Sequence, residues 1–488
     1  MSNRGVRVLR VAVCGAGVVG GGVLRLLARQ RALFRAQGFA FEVATVVARE
    51  AAALRGSALL AAHPGCAVTD DAGAVLQDDS LDLVVEVMGG EAGAARDVVL
   101  GCGARGVHVV TANKALLAAA LPEVARAFSG PRRPRLGYEA SVAGAVPVLR
   151  ALRESLLPEN VTRVRGILNG TTNFILSAMA APGGGSFAAE LARAQAAGFA
   201  EADASADVDG LDARNKLVLL ARLAFGVTVA PRDVRCEGIA RVSAFDFACA
   251  RELGRTVKLL GSAGVEEDPR GGRRRGAAGA SAEPPAAAAA SGESPSAAPE
   301  PVRRLLLDLG VSPALVRADS ALGATGGALN LVQVDGEFSG RTSYAGAGAG
   351  ALPTAVSVVA DMAAIALRTC GSAPFPRPPP SGRRGLAVRV AAPEAGAAAP
   401  GSWYVRGPAA SVAALRARAG AAVERAGLGA AHNAQQAAAA AAAAEGPQAA
   451  VVLAGLPRAA LGKLLARAAG GDAKAARDAF VAFPVEED

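Results

Sequence analysis

Gly15-x-Gly17-x-x-Gly20, directly behind an apolar run over 6–13, sets the tightest limit on the architecture of this chain. Gly15 permits a tight turn and Gly17 lets backbone approach a diphosphate. Gly20 lets the following helix, expected over 20–30, pack closely on the strand. The N–H groups at that helix's N-terminus then face an anion with the positive end of the helix dipole behind them. Further strands are expected over 41–48, 81–87 and 107–111, with helices over 91–104 and 114–128 between them. Alternating β and α at this spacing predicts an α/β fold, a doubly wound parallel sheet over residues 1–140.

From Gly144 the texture changes. A helical stretch over 147–157 precedes an apolar strand and turn over 161–170, and a helix-rich stretch runs to about Gly261. Residues 266–301 combine an Arg-Gly-Gly-Arg-Arg-Arg run with Ala, Ser and Pro. Such a composition cannot bury a face, so it reads as a disordered surface insertion in a catalytic α+β domain over 141–335. Strands follow over 329–334 and 341–344, then Gly346-Ala347-Gly348-Ala349-Gly350 and an apolar helix to about Leu367. Residues 374–384 are a Pro-rich linker. The remainder, 385–488, reads as a small α+β domain with strands over 402–406 and 449–454 and helices over 408–426 and 457–469.

Composition bounds the partners. The net charge is +9, carried partly by Arg132-Arg133 and Arg273-Arg274-Arg275, but aromatics are only 4% and no nucleic-acid motif accompanies the arginines. A basic solvated surface explains the charge better than nucleic-acid binding. Six cysteines are scattered without a C-x-x-C pair, and three histidines lie far apart. Neither zinc nor a disulfide framework is indicated, which suits a reducing compartment. No apolar run of about 18 residues predicts a membrane helix, and the first strand starts too early for a targeting segment. The expectation is a soluble cytoplasmic protein, with an organelle not ruled out.

Three stretches carry candidate chemistry. Arg49 and Glu50 end the second strand; Arg there suits a 2′-phosphate and an acid suits a ribose hydroxyl, so the reading leans to NADP with NAD open. Thr111-Ala112-Asn113-Lys114 sits at the carboxyl edge where doubly wound sheets bind ligands, although a surface lysine at a helix start fits equally well. Between Glu201 and Lys216 five acids precede one lysine. Asp212 and Lys216 are spaced i, i+4 and share a helix face. From spacing alone, acids placed for the helix dipole are the commoner explanation.

Together these pieces resemble homoserine dehydrogenase, in order, from residue 6 to 370. The matching stretches are the glycine turn, Val87-Met88-Gly89-Gly90, Thr111 to Lys114, and Tyr138-Glu139-Ala140-Ser141-Val142-Ala143-Gly144-Ala145-Val146-Pro147. They continue with Gly166-Ile167-Leu168-Asn169-Gly170-Thr171-Thr172-Asn173-Phe174-Ile175, Glu201 to Lys216, and Gly346 to Thr354. Asn-Gly-Thr-Thr-Asn and the acidic stretch are specific to that family, which outweighs the dipole explanation.

The resemblance implies a nicotinamide-dependent enzyme interconverting L-homoserine and L-aspartate 4-semialdehyde, in threonine, methionine and isoleucine biosynthesis. By similarity Lys216 is the proton donor and acceptor, Asp212 lies beside it, and Lys114 is a second active-site lysine. Glu201 holds the substrate ammonium with Asp207 nearby. Gly15, Gly17, Val18, Val19, Gly20, Thr111, Lys114 and Gly350 lie on the cofactor side, and residues 340–370 return to complete the dinucleotide domain. Glu139 with the carbonyls of Val142, Gly144 and Val146 matches a monovalent-cation site, with sodium as the expected ion, and such an oxygen set suits a hard cation. The family suggests homodimers or homotetramers.

Two departures stand out. The 266–301 stretch replaces a loop, and no site residue falls in it. The 385–488 region resembles an ACT regulatory domain only weakly and lacks the acidic effector loop, so threonine feedback does not carry over. No kinase region precedes the chain, so a monofunctional enzyme is expected. Aspartate-semialdehyde dehydrogenase would need a Cys nucleophile with a His partner, and a non-catalytic cofactor sensor would be expected to have lost Lys216 or Asp212.

Overall fold

The computed structural model describes residues 6–130, 132, 134–267, 303–369, 386–390, 401–419, 423–428, 448–456 and 458–486. The bulk of the expected insertion and the 374–384 linker lie outside them.

The first unit grows from β1 (Arg7–Cys14), α1 (Val18–Arg29), β2 (Phe39–Val47), β3 (Ala67–Thr69), β4 (Leu83–Glu86), α2 (Ala94–Arg105), β5 (His108–Thr111), α3 (Lys114–Ala127) and β6 (Leu136–Gly137). All pairings are parallel, in the order β3-β2-β1-β4-β5-β6. Strand order reverses between β1 and β4, and that switch point opens a crevice at the carboxyl ends. Val11, Val13, Leu83 and Val85 are buried, as a parallel sheet covered by helices requires. The edge strands β3 and β6, three and two residues long, are too short to leave a pattern in the sequence.

The second unit contains β7 (Val161–Ile167), α4 (Gly170–Ala180), α5 (Phe187–Ala196), α6 (Leu211–Phe225), β8 (Arg235–Cys236), α7 (Ala244–Glu252), β9 (Arg255–Glu267), β10 (Arg303–Arg317), β11 (Leu329–Gly336) and β12 (Gly340–Ala347). Its sheet runs β12-β11-β7-β9-β10, all antiparallel along this path. Residues 255–261, expected in a helix-rich stretch, are strand instead. Val257, Lys258, Leu259 and Leu260 are all buried, so both faces of the strand are covered and the two-residue period is hidden. The strand continues through Glu266 and Glu267, and Leu305 pairs with Glu267 across the ladder, so the chain that leaves β9 re-enters beside it.

After β12, α8 (Ala351–Ala366) returns to the first unit. Ala355, Val358, Met362 and Ile365 share a core with Val11, Val23 and Leu24. Gly22 makes the contact possible: a Cβ there would lie 2.3 Å from the Ala351 carbonyl oxygen.

The last elements are β13 (Leu386–Val390), β14 (Gly401–Pro408), α9 (Ala409–Ala419), β15 (Val423–Leu428), β16 (Gln448–Leu456), α10 (Arg458–Ala468), α11 (Ala473–Ala479) and β17 (Val481–Val485). Residues 423–426, expected to continue a helix, are strand paired to β16. β14 lies between β16 and β17, and β17 touches β10 at Leu315↔Val485, which extends the second sheet into this region. Buried Asp246, which caps α7 through Ser243, also accepts hydrogen bonds from Tyr404 and Arg406, both at 2.8 Å.

Candidate active site

The glycine turn lies at the tips of β1 and β4, where the Gly15 N–H donates to the Val47 carbonyl and the Val87 N–H to that of Cys14. Gly15 has φ +106°, and a Cβ there would meet the Val87 oxygen at 2.8 Å. A Cβ on Gly20 would lie 1.7 Å from the Gly15 oxygen, whereas at Gly17 it would meet nothing within 4 Å. Two glycines are thus required by packing, and the third leaves open space above the turn. No side chain caps α1, so the first-turn N–H groups, those of Val18 and Val19 included, stand over that space. These residues fit a dinucleotide diphosphate. Gly350 (φ +115°) caps α8 on the neighbouring side, and Arg49 is exposed just past the tip of β2.

Glu86, at the tip of β4, is fully buried. Its carboxylate accepts from the N–H of Met88 (2.8 Å) and Gly89 (3.3 Å) and from the Thr111 hydroxyl (2.6 Å). Burial raises its pKa and these donors oppose the rise. The Thr111 hydroxyl is therefore turned inward, where it also accepts from Asn113 N–H at 2.9 Å. Asn113 caps α3 through Leu116 N–H and donates to the Gly90 carbonyl at 2.7 Å. One buried acid thereby joins the two loops and fixes where α3, with Lys114 as its first residue, begins. Glu86 is not among the residues that sequence reasoning singles out; an acid closing a wholly apolar strand is the signal that could have found it.

Lys216 and Asp212 lie on one face of α6, with Nζ 2.7 Å from Oδ2. Lys216 is 7% exposed and Asp212 8%. Lys216 also donates to the Leu168 carbonyl at 2.7 Å. The other Asp212 oxygen lies 3.1 Å from Nζ of Lys114, reaching across from α3. Burial alone would raise the pKa of Asp212, but the Lys216 and Lys114 ammoniums hold its carboxyl well below the usual range. Asp212 in turn raises the pKa of Lys114 despite burial, with smaller help from Asp207 and Glu201. Asp207 is half-buried, and its carboxyl is pushed up by burial and by Asp212. Glu201 is exposed, and Gln195 Nε2 donates to its carbonyl oxygen at 3.1 Å. Asn169, which the sequence places only within a motif, donates to both Asp207 (2.7 Å) and Asp212 (2.8 Å).

Glu139 is buried beside Asp361, and burial followed by that neighbouring charge pushes its pKa up to about 7. One carboxylate oxygen accepts from Leu149 N–H at 3.0 Å; the other is buried without a hydrogen-bond partner. Ala143 (φ +54°) and Gly144 (φ +51°) turn the following backbone, and the Gly144 carbonyl accepts from the Ser357 hydroxyl at 2.8 Å. The orphaned carboxylate oxygen is what fits a hard monovalent cation; of the carbonyls expected with it, that of Val146 accepts from Val148 N–H at 2.8 Å.

A dinucleotide crevice opening onto a buried lysine–carboxylate pair defines a nicotinamide-dependent oxidoreductase. The family profile "Homoserine dehydrogenase, NAD binding domain" matches residues 15–129, and the profile "Homoserine dehydrogenase" matches residues 147–363. The homoserine dehydrogenase of Mycobacterium tuberculosis (strain ATCC 25618 / H37Rv) is 38% identical over 352 residues, 72% of this chain and 71% of that one. That of Pseudomonas aeruginosa is 36% identical over 379 residues, 76% of this chain and 75% of that one. The crystal structure of a homoserine dehydrogenase from Thiobacillus denitrificans superposes with a TM-score of 0.76 at 28% identity, covering 99% of each chain. The chain belongs to the homoserine dehydrogenase family. Its reaction is the NAD(P)-dependent interconversion of L-homoserine and L-aspartate 4-semialdehyde.

Proposed function

We propose that Lys216 gives and takes the proton at the substrate's side-chain oxygen, with Asp212 aiming it and Lys114 completing the charge around that carboxylate. The observation that carries this reading is the triple arrangement Lys114–Asp212–Lys216 at the mouth of the dinucleotide crevice. The bound nicotinamide supplies or accepts the hydride. As the aldehyde is reduced, negative charge grows on its oxygen and must be met by a proton. Two of the three N–H groups of Lys216 are committed, to Leu168 and Asp212. The remaining one is pre-aimed and needs no solvent reorganisation. Asp212, held ionised by two ammoniums, keeps that direction through the cycle.

Glu201, exposed at the site's edge, takes the substrate ammonium, with Asp207 behind it. Gly15, Gly17, Val18, Val19, Gly20 and Gly350 receive the dinucleotide. Thr111 shapes the loop that carries Lys114. Arg49 favours NADP over NAD through the 2′-phosphate, because an arginine offers a charged fork just past the strand tip. Glu139 with the carbonyls of Val142, Gly144 and Val146 holds a monovalent cation, sodium, which would satisfy the orphaned carboxylate oxygen. The enzyme works as a homodimer or homotetramer in the cytoplasm. Among the described residues no helix is long and apolar enough to cross a membrane.

Steady-state assay of NADP-dependent homoserine oxidation tests the central assignment. Lys216→Ala should lower turnover roughly 10²–10⁴-fold, the range of general acid–base catalysis, and leave NADPH affinity unchanged. Near-normal turnover in the folded variant would move the proton role to Lys114.

A further inference from the structure

We infer that Asn169 is a positioning residue whose side-chain amide bridges the Asp207 and Asp212 carboxylates and fixes both in their working geometry. The inference rests on the roles assigned above to Asp212 and Asp207. Asn169 ends the turn between β7 and α4 and is buried. Its Oδ1 accepts both the N–H of Thr172 (2.8 Å), as the cap of α4, and the Thr172 hydroxyl (3.0 Å). That double commitment settles which end of the amide faces the site. Nδ2 points the other way, toward Asp207 Oδ1 at 2.7 Å and Asp212 Oδ2 at 2.8 Å.

An amide nitrogen only donates, so the two carboxylate oxygens it meets both act as acceptors. Hydrogen bonds to an ionised carboxylate favour its charged form. Asp207 sits against a second buried carboxylate, and the lysines hold mainly Asp212. The Thr171 hydroxyl also favours the Asp207 carboxylate, but only the amide meets both acids and lets them stay close. The charged groups facing the pair are Lys216 on α6 and Lys114 on α3, and Glu201 on the preceding loop acts on Lys114. Leu168, next in chain, supplies the carbonyl that holds Lys216, so one turn of backbone fixes the lysine and both acids.

Asn169→Ser separates bridge from cap, because a serine hydroxyl still caps the helix but cannot reach two carboxylates. Its kcat/KM for homoserine should fall roughly tenfold to a hundredfold, the loss expected for hydrogen bonds to charged groups. The acid limb of the kcat/KM–pH profile should move to higher pH as Asp207 protonates more readily, with NADPH affinity nearly unchanged and the melting temperature lowered by about 2–4 °C. Asn169→Asp should move the limb further by adding a third carboxyl. Asp207→Asn, which leaves Asn169 in place, should shift the limb down, and adding Asn169→Ser on that background should cost less than it does alone. An unmoved acid limb in both Asn169→Ser and Asp207→Asn overturns the bridge, and so does full additivity of the two. Retained turnover in Lys216→Ala beside a shifted limb in Asn169→Ser would instead remove the proton role and leave the bridge standing.

Discussion

The ammonium of Lys114, the first residue of α3 in the parallel unit, lies 3.1 Å from the carboxylate of Asp212 on α6 of the antiparallel unit. The two are far apart in sequence, and the contact makes one carboxylate the meeting point of two lysines. It also links the position of α3, set by Glu86 and Asn113, to that of the catalytic face of α6.

Asp212→Asn should lower turnover about a hundredfold or more and destabilise the fold by roughly 3–5 kcal/mol, because Lys216 would be left buried without its counter-ion. The depressed Asp212 carboxyl contributes stability that is present above about pH 4 and lost as pH falls toward its lower folded value. The variant should therefore lose less stability than the parent below about pH 4. Urea melts across the acid range up to neutrality check both effects.

Arg49→Ala should weaken NADPH about tenfold while changing NADH little, since only the 2′-phosphate distinguishes the two cofactors. Fluorescence titration with each cofactor is the measurement. Equal losses would remove Arg49 from phosphate recognition.

Sodium chloride should raise the melting temperature above that in choline chloride at the same ionic strength, because a bound ion stabilises only the folded state. Glu139→Gln should abolish the difference. A sodium response that survives the substitution would take Glu139 out of the site.

Lys258 is 3% exposed and donates to the Thr325 carbonyl (2.7 Å) and Asn173 Oδ1 (3.1 Å), with burial lowering its pKa from 10.5 to about 8. Between those values the unfolded chain binds more protons, so stability should rise with pH from about 8 to 10.5. The gain is on the order of 3 kcal/mol at most. Lys258→Met should flatten that rise in denaturant melts. An unchanged slope would place the titration elsewhere.

Features that depend on near neighbours in the chain are legible in the sequence itself. The glycine turn follows from the spacing of Gly15, Gly17 and Gly20, and the parallel sheet from alternating β and α stretches. The Asp212–Lys216 pair follows from helical periodicity, which is local by construction. Two kinds of element escape such reasoning. The start of β9 is buried on both faces, Lys258 included, so no two-residue period shows, and β3 and β6 are too short to carry any pattern.

Contacts across long separations belong to the folded molecule alone. No periodicity could show that Lys114 reaches Asp212, that Gly22 admits Ala351, or that Glu86 ties two loops together. Nor could it show that the amide of Asn169 is turned toward two acids, since that orientation is set by Thr172 occupying its oxygen. Sequence specifies which residues are able to do the chemistry, because propensity and pattern act within a few residues. Folding selects which of them do it together, because packing, desolvation and hydrogen-bond satisfaction depend on partners the chain brings from elsewhere.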